Sequence, residues 1–575
     1  MMRRIKRTFP VKALALALLL VPALNRAQSF SLGVDLSYVN ELQDAGVKYY
    51  DDQNIETDPY HLLALKGANL VRLRLWHNPE WTSYSNFADV KRSSERASAE
   101  GMTVMLDLHY SDFWADPSRQ WRPAAWNDIS DEQVLGDSVY QYTYNTLKAL
   151  VLANLAPGIV QIGNEINGNI LIKRTTQKID DSSPGLFPLD WNRQVFLLHR
   201  GIAAVQQINS DYGTNIRTLI HVAQPENALW WFEQGVAAGL SGFDIIGLSY
   251  YPQWSDYSVR QLGDAVKFLK EEYNKDVMIV ETGYPWTSQN KDFAGNVLGS
   301  NSKMPEYGNL ISNQVQRDFL IELTWLIADN GGSGNVYWEP AWVSSSCKTY
   351  WATGSHYDNA TLFDFSNKIN SGADFLSWDY LDQPPGLADQ QVVFTVNMTG
   401  AETSNGVFIT GDFTGKNWTF VRMTESGNQL YVLDTLIPGR SSGAYIYYNK
   451  GEWNTAYRET VPSSCAVYWN THRGYIVTNG PAEFRTDFGS CSFTTRSAGS
   501  GVREPGLYPS PATEMITLSA AGMIEGISIS DLRGSPVQAD YSPSGELNIA
   551  HLHPGLYLLK LSTSEGIFNL KFIKM

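Results

Sequence analysis

The stretch Ile159-Val160-Gln161-Ile162-Gly163-Asn164-Glu165 decides the fold. A short β-branched and aliphatic run stops at an amide and a carboxylate side by side. That is how a buried parallel strand reads, with the polar pair emerging where the strand gives way to a loop. In a closed barrel of eight strands and eight helices, this end of the strand is the face where functional loops gather. A second stretch, Val277-Met278-Ile279-Val280-Glu281-Thr282-Gly283-Tyr284, has the same form and also closes on a glutamate. Three strand–helix units separate Glu165 from Glu281, which sets the two side chains across the barrel mouth from each other. A lone strand-end glutamate caps the next helix or pairs with a lysine. Two in matching contexts point instead to a working pair of carboxylates, as hydrolysis of a glycosidic bond requires.

Outward from these two strands, apolar runs alternate with helical periodicity from Phe30 to about Leu381. Strands are predicted near residues 31–36, 70–75, 103–109, 159–164, 218–222, 245–249, 277–281 and 336–339. Helices are predicted over 89–100, 134–155, 191–208, 259–273 and 314–329, with a less distinct one at 57–66. Eight strands with intervening helices predict an α/β fold, a (β/α)8 TIM barrel. No internal repeat is visible, and no glycine-rich loop follows the first strand, which argues against a dinucleotide site.

At 575 residues the chain is too long for one domain. Its formal charge of −15 excludes nucleic acid and anionic membranes as natural partners, whereas a neutral polysaccharide meets no such penalty. Aromatic residues reach 12 %, including 18 Trp, a composition suited to stacking on sugar rings. Arg3, Arg4, Lys6 and Arg7 precede an apolar run from Ala13 to Leu20, and Ala27-Gln28 offers a cleavage point, so residues 1–27 read as a secretory signal. That run is too short for a membrane span. Export implies an oxidising compartment, in which Cys465 and Cys491 could bridge and Cys347 would be left over. Three cysteines make no metal pattern; no metal and no cofactor are expected.

Candidate functional residues collect at the strand ends. Asp35 closes the first strand. Arg72 and Arg74 alternate with Val71, Leu73 and Leu75 and so share one face, where a cation could hold a carboxylate ionised or form a structural ion pair. His109 ends the third strand with Trp114 on the loop above it, and His221 ends the fifth. Tyr250 and Tyr251 end the sixth, and Trp338 and Glu339 the eighth. Two histidines at equivalent strand ends would orient substrate or the carboxylates.

These stretches resemble glycoside hydrolase family 53, the endo-β-1,4-galactanases, retaining (β/α)8 glycosidases. The resemblance is carried by Val71-Arg72-Leu73-Arg74-Leu75-Trp76, His109-Tyr110-Ser111-Asp112 through Trp114-Ala115-Asp116-Pro117, and Gln161-Ile162-Gly163-Asn164-Glu165-Ile166. It continues through Gly247-Leu248-Ser249-Tyr250-Tyr251-Pro252, Val280-Glu281-Thr282-Gly283-Tyr284-Pro285 and Tyr337-Trp338-Glu339-Pro340-Ala341-Trp342. It implies that Glu165 is the acid/base and Glu281 the nucleophile. Asn164 would bind the 2-hydroxyl of the −1 sugar, while Tyr250 and Arg74 would orient Glu281. His109, Trp114, His221 and Trp338 complete the expected substrate-binding set. The chain departs from the family's usual pattern at Asn167-Gly168-Asn169-Ile170-Leu171-Ile172 and in the fifth-strand loop, Val222-Ala223-Gln224-Pro225-Glu226-Asn227. Both segments line the expected cleft. Some relatives carry calcium near the last loops, but residues 289–313 offer only Asp292 and Glu306 as carboxylates, so none is expected here.

The predicted domains are the barrel over 28–383, a β-sandwich over 390–492, a linker over 493–507 and a small C-terminal β-domain over 508–575. Short alternating runs near 392–396, 407–410, 429–433, 444–448, 474–477 and 482–487 predict the sandwich. It resembles the carbohydrate-binding-module-like sandwiches of bacterial secreted glycosidases, with Trp418, Trp453, Tyr457 and Trp469 forming either a stacking platform or else core or the surface of a spacer. The ends of the last segment, Leu507-Tyr508-Pro509-Ser510-Pro511 and Leu552-His553-Pro554-Gly555-Leu556-Tyr557, resemble the sorting domain read by the type IX secretion machinery. The expectation is a secreted or cell-surface enzyme acting on β-1,4-galactan in pectic type I arabinogalactan. The alternatives are another retaining endo-β-glycanase, a mannanase or glucanase, or a non-catalytic galactan-binding surface protein.

Overall fold

The computed structural model describes residues 30–493 apart from Lys416, and most of the strands and a few connecting residues between 506 and 574. The expected secretory signal, and most of the expected linker, lie outside the described residues. The barrel strands are β1 (Ser31–Asp35), β2 (Leu70–Leu75), β3 (Thr103–Leu108), β4 (Ile159–Ile162), β5 (Arg217–Ala223), β6 (Ile245–Tyr250), β7 (Asp276–Thr282) and β8 (Gly334–Tyr337). They close in sequence order, all parallel, with β8 pairing back onto β1 through Ser31 and Gly334. The helices are α1 (Val39–Asp44), α2 (Pro59–Lys66), α3 (Phe87–Ala99), α4 (Glu132–Leu152), α5 (Trp191–Tyr212), α6 (Pro225–Ala237), α7 (Val259–Tyr273) and α8 (Asn313–Asp329).

Local chemistry explains most of these boundaries. Asp131, Asp190 and Ser312 accept backbone N–H bonds at helix N-termini, and Ser258 and Gln261 form a reciprocal capping box on α7. The sequence reading missed α1 and α6. The segment 222–227, expected as a loop, is the end of β5 followed by Gln224 and then the first turn of α6. Pro225 opens that helix, where its missing N–H costs nothing.

Inside the barrel the strand residues stack in two layers of opposite character. The lower layer is apolar and includes Leu70, Met105, Ile159, Leu219, Ile245 and Met278. Two residues further along five of those strands come Arg72, Asp107, Gln161, His221 and Gly247. All but the glycine carry polar side chains, so the pleat itself sets a polar layer above an apolar one. On β7 the register slips: Leu248 pairs with Ile279 but Ser249 pairs with Glu281. This bulge lets Val280 join the lower layer while the very next residue, Glu281, reaches the polar one.

The second domain has β9 (Asp389–Asn397), β10 (Phe408–Gly411), β11 (Val421–Arg422), β12 (Thr424–Gly427), β13 (Leu430–Pro438), β14 (Ser441–Tyr448), β15 (Arg473–Val477) and β16 (Ala482–Asp487). They form two four-stranded sheets, ordered β11-β10-β14-β15 and β12-β13-β9-β16. Phe394, Tyr445 and Tyr475 are among the residues that fill the space between them. Cys465 and Cys491 form a disulfide, and Cys347 is free. The four expected aromatic residues fall around one small core cluster that includes Ile446, Tyr448 and Phe420. Trp418 and Trp469 lie 5.9 Å apart around His472, whereas Trp453 packs on Phe420 at 4.7 Å and Tyr457 lies against Lys450. In the C-terminal region two further four-stranded sheets enclose an apolar core containing Ile516, Leu547, Leu559, Leu561 and Phe572. Among the described residues no helix is long and apolar enough to cross a membrane.

Buried polar contacts fix the sandwich to the barrel. Arg440, in the β13–β14 turn, donates to the Glu306 carbonyl at 2.7 Å, lies 3.3 Å from the Glu322 carboxylate of α8 and covers the Tyr307 ring. Ser442 donates to Glu306 at 2.6 Å, and Arg260 of α7 donates to the carbonyls of Gly439 and Leu387. Burial pushes the Glu322 carboxyl up to about 7 although Arg440 and Tyr307 pull it down. Arg440→Ala should therefore cost on the order of 3 kcal/mol, because a buried carboxylate loses its cation. Parent and variant both keep a proton on Glu322 that the unfolded chain releases near its ordinary 4.5, so they lose stability in parallel up to about 7. Above that the parent ionises beside Arg440 while the variant resists, and the deficit should grow as pH rises from 7. Calorimetry between pH 5 and 8 checks this; a deficit that shrinks with rising pH contradicts it.

Candidate active site

A cleft of about 760 Å³ opens at the C-terminal ends of the barrel strands. Glu165 and Glu281 both line it, with Asn164 beside the first. Trp114, Trp254, Trp338 and Trp351 supply aromatic walls, so the floor is acidic and the sides are apolar.

The two carboxylates have different neighbours. Glu281 is 7 % exposed, and its Oε1 lies 2.8 Å from Arg72 Nη2; its Oε2 accepts from the Tyr251 hydroxyl at 3.3 Å. Burial raises its proton affinity, and Arg72 opposes that rise. Among the described residues no cation contacts Glu165. Its Oε1 accepts from the Ser249 hydroxyl at 2.6 Å. Burial raises the Glu165 carboxyl well above its ordinary value, the charge of Glu281 adds to the rise, and the Ser249 bond opposes it. The first proton to enter the pair therefore rests on Glu165, while the cation beside Glu281 favours its ionised form.

Arg72 ties these groups together from below. Beyond Glu281 it donates to Asp35 at 2.8 Å, Asp107 at 2.9 Å, the Asn164 amide oxygen at 2.8 Å and Gln161 at 3.3 Å. Burial alone would raise the Asp107 carboxyl, but Arg72 and His109 hold it at about 2. Asn164 donates one amide N–H to the Ala115 carbonyl at 2.8 Å and lines the cleft, which leaves its other N–H for a ligand.

Several expected side chains are elsewhere. Arg74 does not contact Glu281. It pairs with Glu339 at 3.1 Å and lies over the rings of Tyr38, Trp76 and Trp114, 4.1 to 4.8 Å from their centroids. The Tyr250 hydroxyl donates to the Tyr257 carbonyl; the ring that reaches Glu281 is Tyr251. Strand alternation from Ser249 contained that signal, since Ser249 and Tyr251 share a face. His109 and His221 are buried beneath the cleft rather than lining it. His109 bonds Asp107 at 2.9 Å and accepts the Ala115 N–H; His221 bonds Ser249 at 2.8 Å. Trp114 and Trp338 do line the cleft, 6.0 Å apart. Trp254 and Trp351 were not anticipated; they sit in the irregular segments that follow β6 and β8, where no periodicity betrays them. Among the described residues no cluster of three or more His, Cys, Asp or Glu could hold a metal ion.

Known proteins match the chain in two places. Residues 31–376 match the family model of glycosyl hydrolase family 53, and residues 506–575 match a secretion system C-terminal sorting domain. The arabinogalactan endo-β-1,4-galactanase of Cellvibrio japonicus is 48 % identical over 347 residues, 60 % of this chain and 90 % of that protein. The endo-β-1,4-galactanase of Bacillus subtilis is 30 % identical over 380 residues, 59 % of this chain and 83 % of that protein. Among solved structures, the family 53 catalytic domain of Ignisphaera aggregans superposes with a TM-score of 0.54 at 31 % identity, covering 62 % of this chain and 97 % of that one. The sorting domain marks the chain for export. An eight-stranded barrel with two glutamates at its mouth, matched by the family model over more than half of its length, makes this chain a member of glycosyl hydrolase family 53 and a glycoside hydrolase.

Proposed function

We propose that the protein is an exported, retaining endo-hydrolase of β-1,4-galactan, with Glu281 as nucleophile and Glu165 as general acid and base. The observation that carries the assignment of roles is the asymmetry of the pair: Arg72 lies 2.8 Å from the Glu281 carboxylate, whereas among the described residues the Glu165 carboxylate is bonded by a hydroxyl and by no cation. An ionised carboxylate attacks the anomeric carbon, while a protonated one gives its proton to the departing glycosidic oxygen. The C–O bond breaks, its electron pair goes to that oxygen, and a glycosyl–Glu281 ester forms. Glu165, now ionised, takes a proton from water, whose oxygen displaces Glu281 and restores both groups. The second amide N–H of Asn164 would hold the 2-hydroxyl of the sugar being attacked. The names of the relatives support the galactan linkage, and the tryptophan walls suit a neutral sugar polymer. We read residues 1–27 as the export signal, 508–575 as a type IX secretion address and 390–492 as an accessory polysaccharide-binding module.

Glu165→Ala should lower hydrolysis of galactan at least about 100-fold while sparing an activated aryl galactoside in the first step, since a good leaving group needs little protonation. Azide should then accelerate turnover by replacing water in the second step. Glu281→Ala should lose both activities. Absence of the leaving-group effect and of azide rescue would remove Glu165 from the acid/base role.

Proton NMR of the first-formed product should show the β-anomer, because two displacements at one carbon retain configuration. An α-anomer appearing first would rule out the covalent route.

Trp469 and Trp453 are 67 % and 59 % exposed, which supports a binding role for the sandwich. Replacing both with alanine in the full chain should lower activity on insoluble galactan and leave soluble galactan unaffected, since tethering helps only on an extended surface. Equal rates on both would make the sandwich a spacer.

A further inference from the structure

A closed ring of hydrogen bonds starts and ends on Glu165. Its backbone N–H donates to His221 Nδ1 at 3.3 Å. His221 Nε2 lies 2.8 Å from the Ser249 hydroxyl, and that hydroxyl lies 2.6 Å from Glu165 Oε1. Neither His221 nor Ser249 is exposed to solvent, so no water can relieve a mismatched donor or acceptor in the ring.

The direction of every bond follows from one fixed proton. A backbone N–H can only donate, so His221 Nδ1 must accept. The Gln161 amide nitrogen, which can only donate, also lies 3.0 Å from this Nδ1, with the oxygens of Asp107, Gly163 and Asn164 competing for its two N–H groups. The Asn164 amide oxygen is also 3.0 Å away, but it already accepts from Arg72 at 2.8 Å and lies 3.0 Å from the Gln161 amide nitrogen. Burial and the nearby Arg72 charge hold His221 neutral, so it carries a single ring proton. With Nδ1 accepting, that proton is on Nε2 and points at the Ser249 oxygen. The Ser249 hydroxyl hydrogen must then turn to its other neighbour, Glu165 Oε1. Glu165 Oε1 is therefore an acceptor whether or not the carboxyl is protonated. The other oxygen, Oε2, has no hydrogen-bond partner among the described residues, and Glu165 lines the cleft.

We propose that Ser249 and His221 are positioning residues that confine the exchangeable proton of Glu165 to Oε2, the oxygen left free to face the glycosidic bond. The inference rests on the acid/base role proposed for Glu165. Without the ring, the proton could settle on Oε1 against the protein wall, where it cannot reach a leaving group. The ring also leaves the second step undisturbed, because Oε2 is the same oxygen that must receive the proton from water. Besides Ser249, the charged groups acting on Glu165 are Glu281 and Asp116, which raise its proton affinity, and Arg72, which lowers it. Removing Ser249 leaves those three in place.

The test is a Ser249→Ala variant of the full chain, assayed on galactan and on aryl galactosides of graded leaving-group acidity. Hydrolysis of poor leaving groups should fall about 10-fold or more while the most activated aryl galactoside reacts at nearly the parent rate. The alkaline limb of kcat/KM should move to higher pH, because the ionised carboxyl has lost a donor. Ser249→Thr, which keeps the hydroxyl, should restore the parent profile. His221→Gln should retain more activity than His221→Met, since an amide can accept the Glu165 N–H and donate to Ser249 as the ring does. Nitrogen-15 NMR of the parent enzyme should find His221 protonated on Nε2 alone. A proton on Nδ1, or a Ser249→Ala loss equal for all leaving groups with no pH displacement, overturns the proposal. If Glu165→Ala shows azide rescue while Ser249→Ala behaves in that uniform way, only the ring fails. If Glu165→Ala shows no rescue, the acid/base reading fails with it.

Discussion

A guanidinium sealed inside the barrel governs the geometry of the cleft. Moving a cation from water to the interior costs several kcal/mol unless its donors are all met. Arg72 offsets that cost with the carboxylates of Asp35, Asp107 and Glu281 and with the amide oxygens of Asn164 and Gln161. The planar fork of donors makes this possible; an ammonium could not reach five acceptors in fixed directions. Three carboxylates around one cation leave an excess of negative charge, and the hydrogen bonds decide where it rests. Asp35 also accepts two bonds from Ser37, and Asp107 also bonds His109 and Gln161. Among the described residues Glu281 has only Arg72 and a longer bond from Tyr251. The least satisfied carboxylate is thus the one that opens on the cleft, which suits the nucleophilic role proposed for it.

Backbone irregularities deliver the side chains to this layer. Tyr110, Glu165, Gln224 and Glu339, all just past the ends of barrel strands, have left-handed φ angles between 45° and 64°. Each such residue costs roughly 1–3 kcal/mol and persists only where its surroundings over-determine it. For Glu165 the surroundings are visible: Gly163 turns the chain out of β4, and the Glu165 N–H is held by His221. For Glu339 the anchors are Arg74 and the Tyr38 N–H, which oppose the strong rise that burial imposes on its carboxyl. Arg74 therefore serves the frame around Trp114, a cleft wall, and Arg72 serves the carboxylate in the cleft. The two arginines share a strand face but stand at different heights in the barrel.

The residue pattern determined the barrel, because a strand buried on both faces must be apolar wherever it has no polar partner. Runs such as Ile159–Ile162 and Leu70–Leu75 announce themselves by that rule, and so does the glutamate closing each of two matching strands. The helix of residues 259–273 was legible to its last residue from its length and period. What the sequence left open was which neighbour each polar side chain takes. Arg74 and Arg72 are alike in local pattern. Only closure of the barrel, bringing β2 across from β7, decided that Arg72 is the one that reaches Glu281. The bulge on β7 is likewise invisible in a run of Val, Met, Ile and Val, since it arises from the register that β6 and β8 impose on that strand. Periodicity is a property of one segment and can be read along the chain. The partner of a buried charge depends on how segments far apart in sequence are stacked, and that is fixed only when the barrel shuts.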